Sequence, residues 1–75
     1  MKTFEDYKLQ ANISYAKLAT AAGLGTDAAF RAIRYPWRTR IETIMKIAEV
    51  LNIPRDEATE LWKAAKKEFN IRRYS

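Results

Sequence analysis

The stretch "YAKLATAAGLGTDAAFRAIR", residues 15 to 34, has the pattern of two short helices joined by a turn. Small residues stand where the helices would cross, and the two glycines of the chain lie between them. Gly23 is expected to end the first helix, because a residue without a Cβ takes positive φ at no steric cost. The stretch therefore predicts helix 2 over Tyr15–Ala22 and helix 3 from about Thr26 to Arg34, arranged as a helix-turn-helix. The expected inward-facing residues are Leu18, Ala19, Ala22, Ala29, Ala32 and Ile33.

The residues before this stretch predict one more short helix. Thr3, followed three residues later by Asp6, is suited to cap its start, and Asn12 is suited to the left-handed conformation that ends a helix. Ser14 is then placed to cap helix 2. The expected apolar stripe of helix 1 consists of Phe4, Tyr7 and Ala11.

The residues after helix 3 predict a fourth helix. Tyr35 ends helix 3, since the residue before Pro36 is pushed out of the helical region. Thr39 and Glu42 match the T-x-x-E capping box, which would start helix 4, and Asn52 would end it. The apolar residues at helical spacing in helix 4 are Ile41, Ile44, Ile47, Ala48 and Leu51.

A fifth helix is predicted from Pro54 onward, because proline suits a first helical turn. Residues 70–75 are interpreted as a C-terminal tail. No run of residues alternates as a strand does, so the sequence predicts an all-α fold: one compact five-helix bundle over residues 1–75. The apolar face of helix 5 is expected to carry Leu61, Trp62, Ala65 and Phe69.

Residues 30–40, "FRAIRYPWRTR", contain four arginines, three aromatic residues and no acidic residue. The whole chain has a formal charge of +5, which favours polyanionic partners. The placement of the charge is more informative than its sum, because nothing within this segment offsets it. A basic segment that begins on a helix and continues into a loop points to nucleic acid.

The composition excludes several other classes of function. Without cysteine or histidine, the chain has no disulfide, no thiolate nucleophile, no imidazole base and none of the usual zinc ligands. It also has no phosphate-binding loop and no carboxylate pair on an apolar face, so we expect neither an enzyme nor a metal, cofactor or small-molecule site. Apolar runs are far shorter than the roughly 20 residues of a membrane span, and no signal-peptide pattern is present, so we expect a cytoplasmic protein with no membrane partner.

An ordered set of small and apolar residues resembles a known family. The set consists of Ile13-Ser14, Leu18-Ala19, Gly23-Leu24, Ala29 and Ala32, followed by "IETIMKIAEVLNI" at residues 41 to 53. In this order it resembles the Cro/repressor-type helix-turn-helix domain, also called lambda-repressor-like or Xre, of phage and bacterial regulators. The resemblance covers roughly residues 13 to 62. It implies a five-helix bundle that binds operator DNA as a dimer, with helix 3 in the major groove.

If helix 3 turns Ala29, Ala32 and Ile33 inward, its opposite face presents Thr26, Asp27, Phe30, Arg31 and Arg34, and the first four of these are candidates for contact with bases. Arg31 is the strongest candidate for base contact, since a guanidinium pairs bidentately with guanine. Thr26 is suited to a thymine methyl, a phosphate or a simple helix cap. Asp27 either accepts a hydrogen bond from cytosine or interacts favourably with the dipole at the start of the helix. Phe30 either packs on a thymine methyl or shields the bundle.

Four residues are candidates for contact with the DNA backbone, which positions a protein without specifying sequence. Arg34, Arg38 and Arg40 flank and follow helix 3. The resemblance implies the fourth, Tyr15, at the start of helix 2, where the family often has glutamine. Tyr35 and Trp37 are interpreted as residues that brace the loop.

Leu61, Trp62 and Phe69 are either core residues or a dimer or partner interface, and a homodimer is expected at least on DNA. Lys63, Lys66 and Lys67 are interpreted as a solvated face of helix 5. The function that these patterns favour is a sequence-specific regulator that binds double-stranded DNA, of the phage or prophage Cro-like kind or a small bacterial repressor. The alternative is a protein-interaction module, such as the antitoxin of a toxin-antitoxin pair, which exposure of Trp62 and Phe69 would favour.

Overall fold

The computed structural model describes the backbone of residues 2–74 and the side chains of residues 2–71, and this part of the chain is all-helical, without a strand. It forms five α-helices and one 3-10 turn: α1 (Phe4–Ala11), α2 (Tyr15–Ala22), α3 (Thr26–Arg34), the 3-10 turn (Pro36–Arg38), α4 (Ile41–Leu51) and α5 (Arg55–Tyr74). The prediction of an all-α chain with five helices is confirmed. The bounds of α2 and α3 agree with those predicted.

Helix α4 is the centre of the molecule, since it contacts each of the other four α-helices. Its residues Ile44 and Ile47 are completely buried. The core is entirely hydrophobic, and no polar or charged side chain among the described residues is buried with it. The buried hydrophobic residues are Phe4, Leu18, Ala19, Ala29, Ala32, Ile33, Ile44, Ile47, Ala48, Leu51, Ile53, Ala58 and Leu61.

The helix ends follow the local signals in the sequence. The Thr3 backbone N–H donates to Asp6 Oδ2 at 2.9 Å, and the Asp6 N–H donates to Thr3 Oγ1 at 3.1 Å, which is a complete capping box. The hydrogen bond from the Thr3 N–H also holds the pKa of Asp6 below its ordinary value. Ser14 caps α2 by accepting from the Lys17 N–H at 3.2 Å, and Asn12 and Asn52 end their helices in the left-handed region, as predicted.

The turn between α2 and α3 occupies three residues, 23 to 25. Gly23 has φ of 71°, and the Leu24 N–H donates back to the Ala19 carbonyl at 2.8 Å, which ends α2 and reverses the chain. Leu24 is half-buried against the core as a result. With buried alanines at positions 19, 29 and 32, the backbones of α2 and α3 can approach closely.

Substitution of Gly23 by serine is expected to destabilise the protein by about 1–2 kcal/mol, because a side chain is strained at positive φ. A Cβ at Gly23 would meet no atom within 4 Å, so the cost arises from the backbone alone. Gly25 provides the matched control, since it starts α3 at φ of −73° without a side-chain cap. There the same change to serine is expected to stabilise by a few tenths of a kcal/mol by adding a cap. Urea unfolding of both variants tests this, and equal losses would contradict it.

Helix α1 is tied to the start of α5 by a hydrogen bond. The Tyr7 hydroxyl donates to Glu57 Oε1 across 50 residues of sequence. This hydrogen bond raises the pKa of Tyr7, because the carboxylate favours the protonated phenol. The first and last helices are thereby joined on one side of the molecule.

Helix α5 differs from the prediction at its C-terminal end. The predicted tail of residues 70–75 does not begin at Asn70, since α5 continues to Tyr74, while Ser75 lies outside the described residues. The reason is local: residues 70–74 contain no proline or glycine that would stop the helix. No helix within the described part of the chain combines the length and apolar character needed to cross a bilayer.

Candidate nucleic-acid interface

One face of α3 is buried and the other is open to solvent. Ala29, Ala32 and Ile33 face the core, whereas Thr26 and Arg31 are exposed, as is Asp27. Asp27 and Arg31 lie four residues apart on the exposed face, yet among the described residues neither side chain forms an ion pair. Their hydrogen-bonding groups are therefore available to a partner.

A row of aromatic rings runs along one edge of this exposed face. Tyr15 contacts Phe30 edge-on with ring centroids 5.1 Å apart, and Phe30 contacts Tyr35 at 6.3 Å. Tyr35 contacts Trp37 at 5.6 Å, and Trp37 stacks on Phe69 of α5 at 5.5 Å. Each such pair contributes about 0.5–1.5 kcal/mol beyond the area it buries. We call these five residues the aromatic row; it links the start of α2, α3, the 3-10 turn and α5.

The aromatic row refines the roles expected for three of its residues. Phe30 is 38% exposed, and its ring contacts those of Tyr15 and Tyr35, so it belongs to the aromatic row and remains accessible to solvent. The ring of Tyr15 also lies under the Lys8 ammonium at 4.2 Å. Trp37 braces the segment after α3 by stacking on α5, in keeping with the bracing interpretation of this residue.

Arg34 has a different environment from Arg31. Its Nη1 lies 3.7 Å from Glu5 Oε1 of α1, and its guanidinium lies 5.9 Å from the ring centre of Phe30. Both partners of the ion pair are about half exposed, and such pairs contribute about 0–1 kcal/mol. A phosphate can therefore replace Glu5 at small cost.

The segment between α3 and α4 contains Arg38 and Arg40, and it corrects one prediction. Thr39 and Glu42 do not form a capping box: α4 begins after Arg40, and no side chain caps it. The Thr39 hydroxyl instead faces the end of α3, where the Tyr35 carbonyl lies 3.1 Å away and the Arg31 carbonyl 3.4 Å away. The 3-10 turn Pro36–Arg38 explains this, because it brings Thr39 back to these two carbonyls, which also accept from the backbone N–H groups of Tyr35 and Arg38.

Helix α5 holds the same segment from the other side. The Trp62 indole N–H donates to the Thr39 carbonyl at 2.8 Å. Thr39 is thus bonded through its hydroxyl to α3 and through its carbonyl to α5. This link holds Arg38 and Arg40, the exposed neighbours of Thr39, next to the last turn of α3.

The three candidate interface residues on α5 differ in burial. Leu61 is 6% exposed and belongs to the core, so it offers little surface to a partner. Trp62 and Phe69 are half-buried, and both contact the segment after α3. A partner that binds this part of α5 can therefore contact only the exposed parts of the Trp62 and Phe69 side chains.

The sequence predicted the exposed face of α3 and a bracing role for Tyr35 and Trp37, but it did not indicate the contacts that position this face. The hydrogen bonds of Thr39 and the aromatic row join residues up to 32 positions apart, the separation of Trp37 and Phe69. The concentration of aromatic residues at positions 30, 35 and 37 was a visible signal. Their partner rings on α2 and α5 could not be predicted, because no local spacing in the sequence relates those residues to positions 30, 35 and 37.

Comparisons of the chain with models of protein families, with curated proteins and with solved structures found no match. The function is therefore inferred from the residues and their geometry.

Proposed function

We propose that this protein is a sequence-specific regulator that binds double-stranded DNA, with α2 and α3 acting as a helix-turn-helix of the Cro/repressor type. The observation that carries the proposal is the exposed face of α3, on which Asp27 and Arg31 have no ion-pair partner within the described residues. The opposite face of α3 is held by completely buried alanines. A rigid helix with open polar groups on one face is what base recognition in a groove requires.

The dimensions and charge of α3 support this proposal. An α-helix with its side chains is about 10–12 Å in diameter, which suits a major groove about 12 Å wide, and the nine residues of α3 give a helix about 13 Å long. From Thr26 to Arg40 the chain has four arginines and one aspartate, a formal charge of +3. Phosphate attraction of this kind supplies most of the affinity that does not depend on sequence.

The proposed contacts fall into two groups. Thr26, Asp27, Phe30 and Arg31 contact base edges, because they lie on the exposed face or edge of α3. Contacts to the backbone come from residues at the start of α2, at the end of α3 and in the segment that follows: Tyr15, Arg34, Arg38 and Arg40. The first group sets base preference, and the second sets register and salt dependence.

The proposal includes a homodimer on DNA and action as a repressor, of phage or bacterial origin. Two copies would recognise a palindrome with half-sites about 34–36 Å apart, one turn of B-DNA, or a multiple of that. Selection of bound fragments from random duplex DNA tests both points together. We expect an enriched palindrome, and its spacing measures the separation of the two α3 helices. Recovery of no motif at low salt would overturn the proposal.

The alternative, an interaction module such as an antitoxin, was tied to exposure of Trp62 and Phe69. Both side chains are half-buried against their own chain, through the Thr39 carbonyl and the Trp37 ring. This arrangement favours a bracing role within one chain. The DNA-binding function is therefore the one that the geometry supports better.

Substitution of Arg38 by alanine is expected to weaken binding to all duplexes alike, because a backbone contact carries no base information. The slope of log K against log salt concentration should fall in magnitude by about 0.9, the value for one phosphate contact. Arg55→Ala is the matched control: it removes the same charge from an exposed site at the start of α5, distant in sequence from α3. Fluorescence anisotropy over a salt series measures both slopes. Equal changes in the two variants would show that only net charge matters.

A further inference from the structure

A shallow concave surface lies where the segment after α3 meets α5, and the space within it has a volume of about 530 Å³. Two tryptophans and a set of charged side chains line it. These residues are Trp37, Arg38, Arg40, Glu42, Trp62 and Lys66. The two arginines come from the segment between α3 and α4. Lys66 comes from α5, a helix that has none of the DNA contacts proposed above.

Lys66 is held at this surface by a chain of contacts. Its Nζ lies 4.4 Å from the centre of the Trp62 ring, close enough for a cation–π interaction. The Trp62 N–H is in turn bonded to the Thr39 carbonyl at 2.8 Å. An ordered lysine loses less side-chain entropy when it binds a ligand than a freely moving one does. The ammonium is therefore held over Trp62 on the surface that Arg38 and Arg40 also line.

The charges of the surface favour an anion. Arg38, Arg40 and Lys66 contribute three positive charges and Glu42 one negative charge, and no ion pair among the described residues involves any of the four. Phosphate oxygens accept several charge-assisted hydrogen bonds at once, so one phosphate can bind guanidinium and ammonium groups that line the same surface.

The other lysines of α5 do not share this position. Lys66 lies one helical turn after Trp62, so both project from the same face of α5. Lys63 and Lys67 each follow one residue after a member of that pair, which turns them about 100° around the helix axis. Neither lines the concave surface. All three lysines are exposed, as the sequence indicated, but only Lys66 lines this surface.

We propose that this surface binds a phosphodiester of duplex DNA, with Lys66 of α5 joining Arg38 and Arg40 on one backbone phosphate. Lys66 is then a backbone-contacting residue that the sequence did not indicate, and α5 takes part in DNA binding. The inference rests on the proposed function, because the phosphate it assigns belongs to the bound duplex.

The test compares Lys66→Ala with Lys67→Ala, which removes the same charge one residue away. Binding of the full chain to its selected duplex is measured over a salt series. We expect Lys66→Ala to lower the slope by about 0.9, so that a fourfold rise in salt costs about 3.5-fold less affinity than in the parent protein. Lys67→Ala should leave the slope unchanged, and Lys66→Arg should restore it. Equal effects of the two alanine variants overturn the inference.

A second measurement separates failure of this site from failure of the proposed function. Inorganic phosphate is titrated into the protein while the indole N–H signals of Trp37 and Trp62 are followed by NMR. If the parent protein selects no duplex, a saturable shift that is lost only in Lys66→Ala keeps the phosphate site and overturns its assignment to DNA. Absence of both duplex selection and a shift overturns the site itself. Thermal unfolding of each variant shows that it is folded.

Discussion

Replacement of Ile44 by alanine is expected to lower the free energy of unfolding by about 2–5 kcal/mol. Ile44 is completely buried in α4, the helix that contacts all the others, so no neighbouring element can close the cavity without disturbing another contact. A domain of this size is expected to have roughly 4–11 kcal/mol of stability in total. The substitution should therefore remove a large share of it, and we expect a lower urea midpoint and a lower Tm.

Ile71→Ala is the matched control for this result. Ile71 lies near the end of α5 and is 59% exposed, so the same three carbon atoms are removed where they bury little surface. We expect a change within about 0.5 kcal/mol. A loss at Ile71 comparable to that at Ile44 would mean that the exposed end of α5 is buried in solution, as in a dimer. Repeating the measurement at several protein concentrations would distinguish that case.

Arg31→Ala is expected to relax the base preference of the protein at one position of its binding site. The side chain is exposed on α3 and has no ion-pair partner in the described part of the chain, so it is free to pair bidentately with guanine. Loss of such a pair costs about 1–3 kcal/mol of discrimination, or roughly 5- to 150-fold. Selection from random duplex DNA with the parent and variant proteins should show one position losing its preference while its neighbours keep theirs.

Arg34→Ala is the informative comparison, because Arg34 lies on the next turn of the same helix. Its pairing with Glu5 and its position at the end of α3 suit a backbone contact, so we expect weaker binding with an unchanged motif. If Arg31→Ala also left the motif unchanged, Arg31 would be a phosphate contact. Arg31→Ala should alter stability by no more than about 0.5 kcal/mol and Arg34→Ala by no more than about 1 kcal/mol, since both side chains are exposed and only Arg34 loses an ion pair.

Much of the fold was predictable because its signals are local. The ends of α1 and α2 depend on residues such as Thr3, Ser14 and Gly23, which act on the backbone within four positions. The buried face of α3 follows from the spacing of its alanines. The end of α5 was missed for a related reason: helical continuation past Asn70 is a weak preference, and the sequence contains no clear stop signal there.

The start of α4 shows where a local signal failed. Thr39 and Glu42 have the spacing of a capping box, but the hydroxyl of Thr39 bonds to α3 instead. Two arrangements of the Thr39 hydroxyl were possible: it could accept from a backbone N–H of α4, as in a capping box, or donate to the carbonyls of Arg31 and Tyr35. The one that prevailed is supplied by the turn at Pro36 and the anchor at Trp62, and neither can be derived from the T-x-x-E pattern.

By itself, the sequence determined five helices, the buried and exposed faces of α3, and the separation of Arg31 on that helix from Arg38 and Arg40 in the segment beyond it. Helical periodicity and helix capping depend on residues a few positions apart, so the sequence alone is enough to predict them. Only the tertiary structure decided that Lys66 lines one surface with Arg38 and Arg40, because α5 packs against residues more than 20 positions earlier. Contacts at that separation depend on how whole helices pack, and no local pattern of residues predicts them.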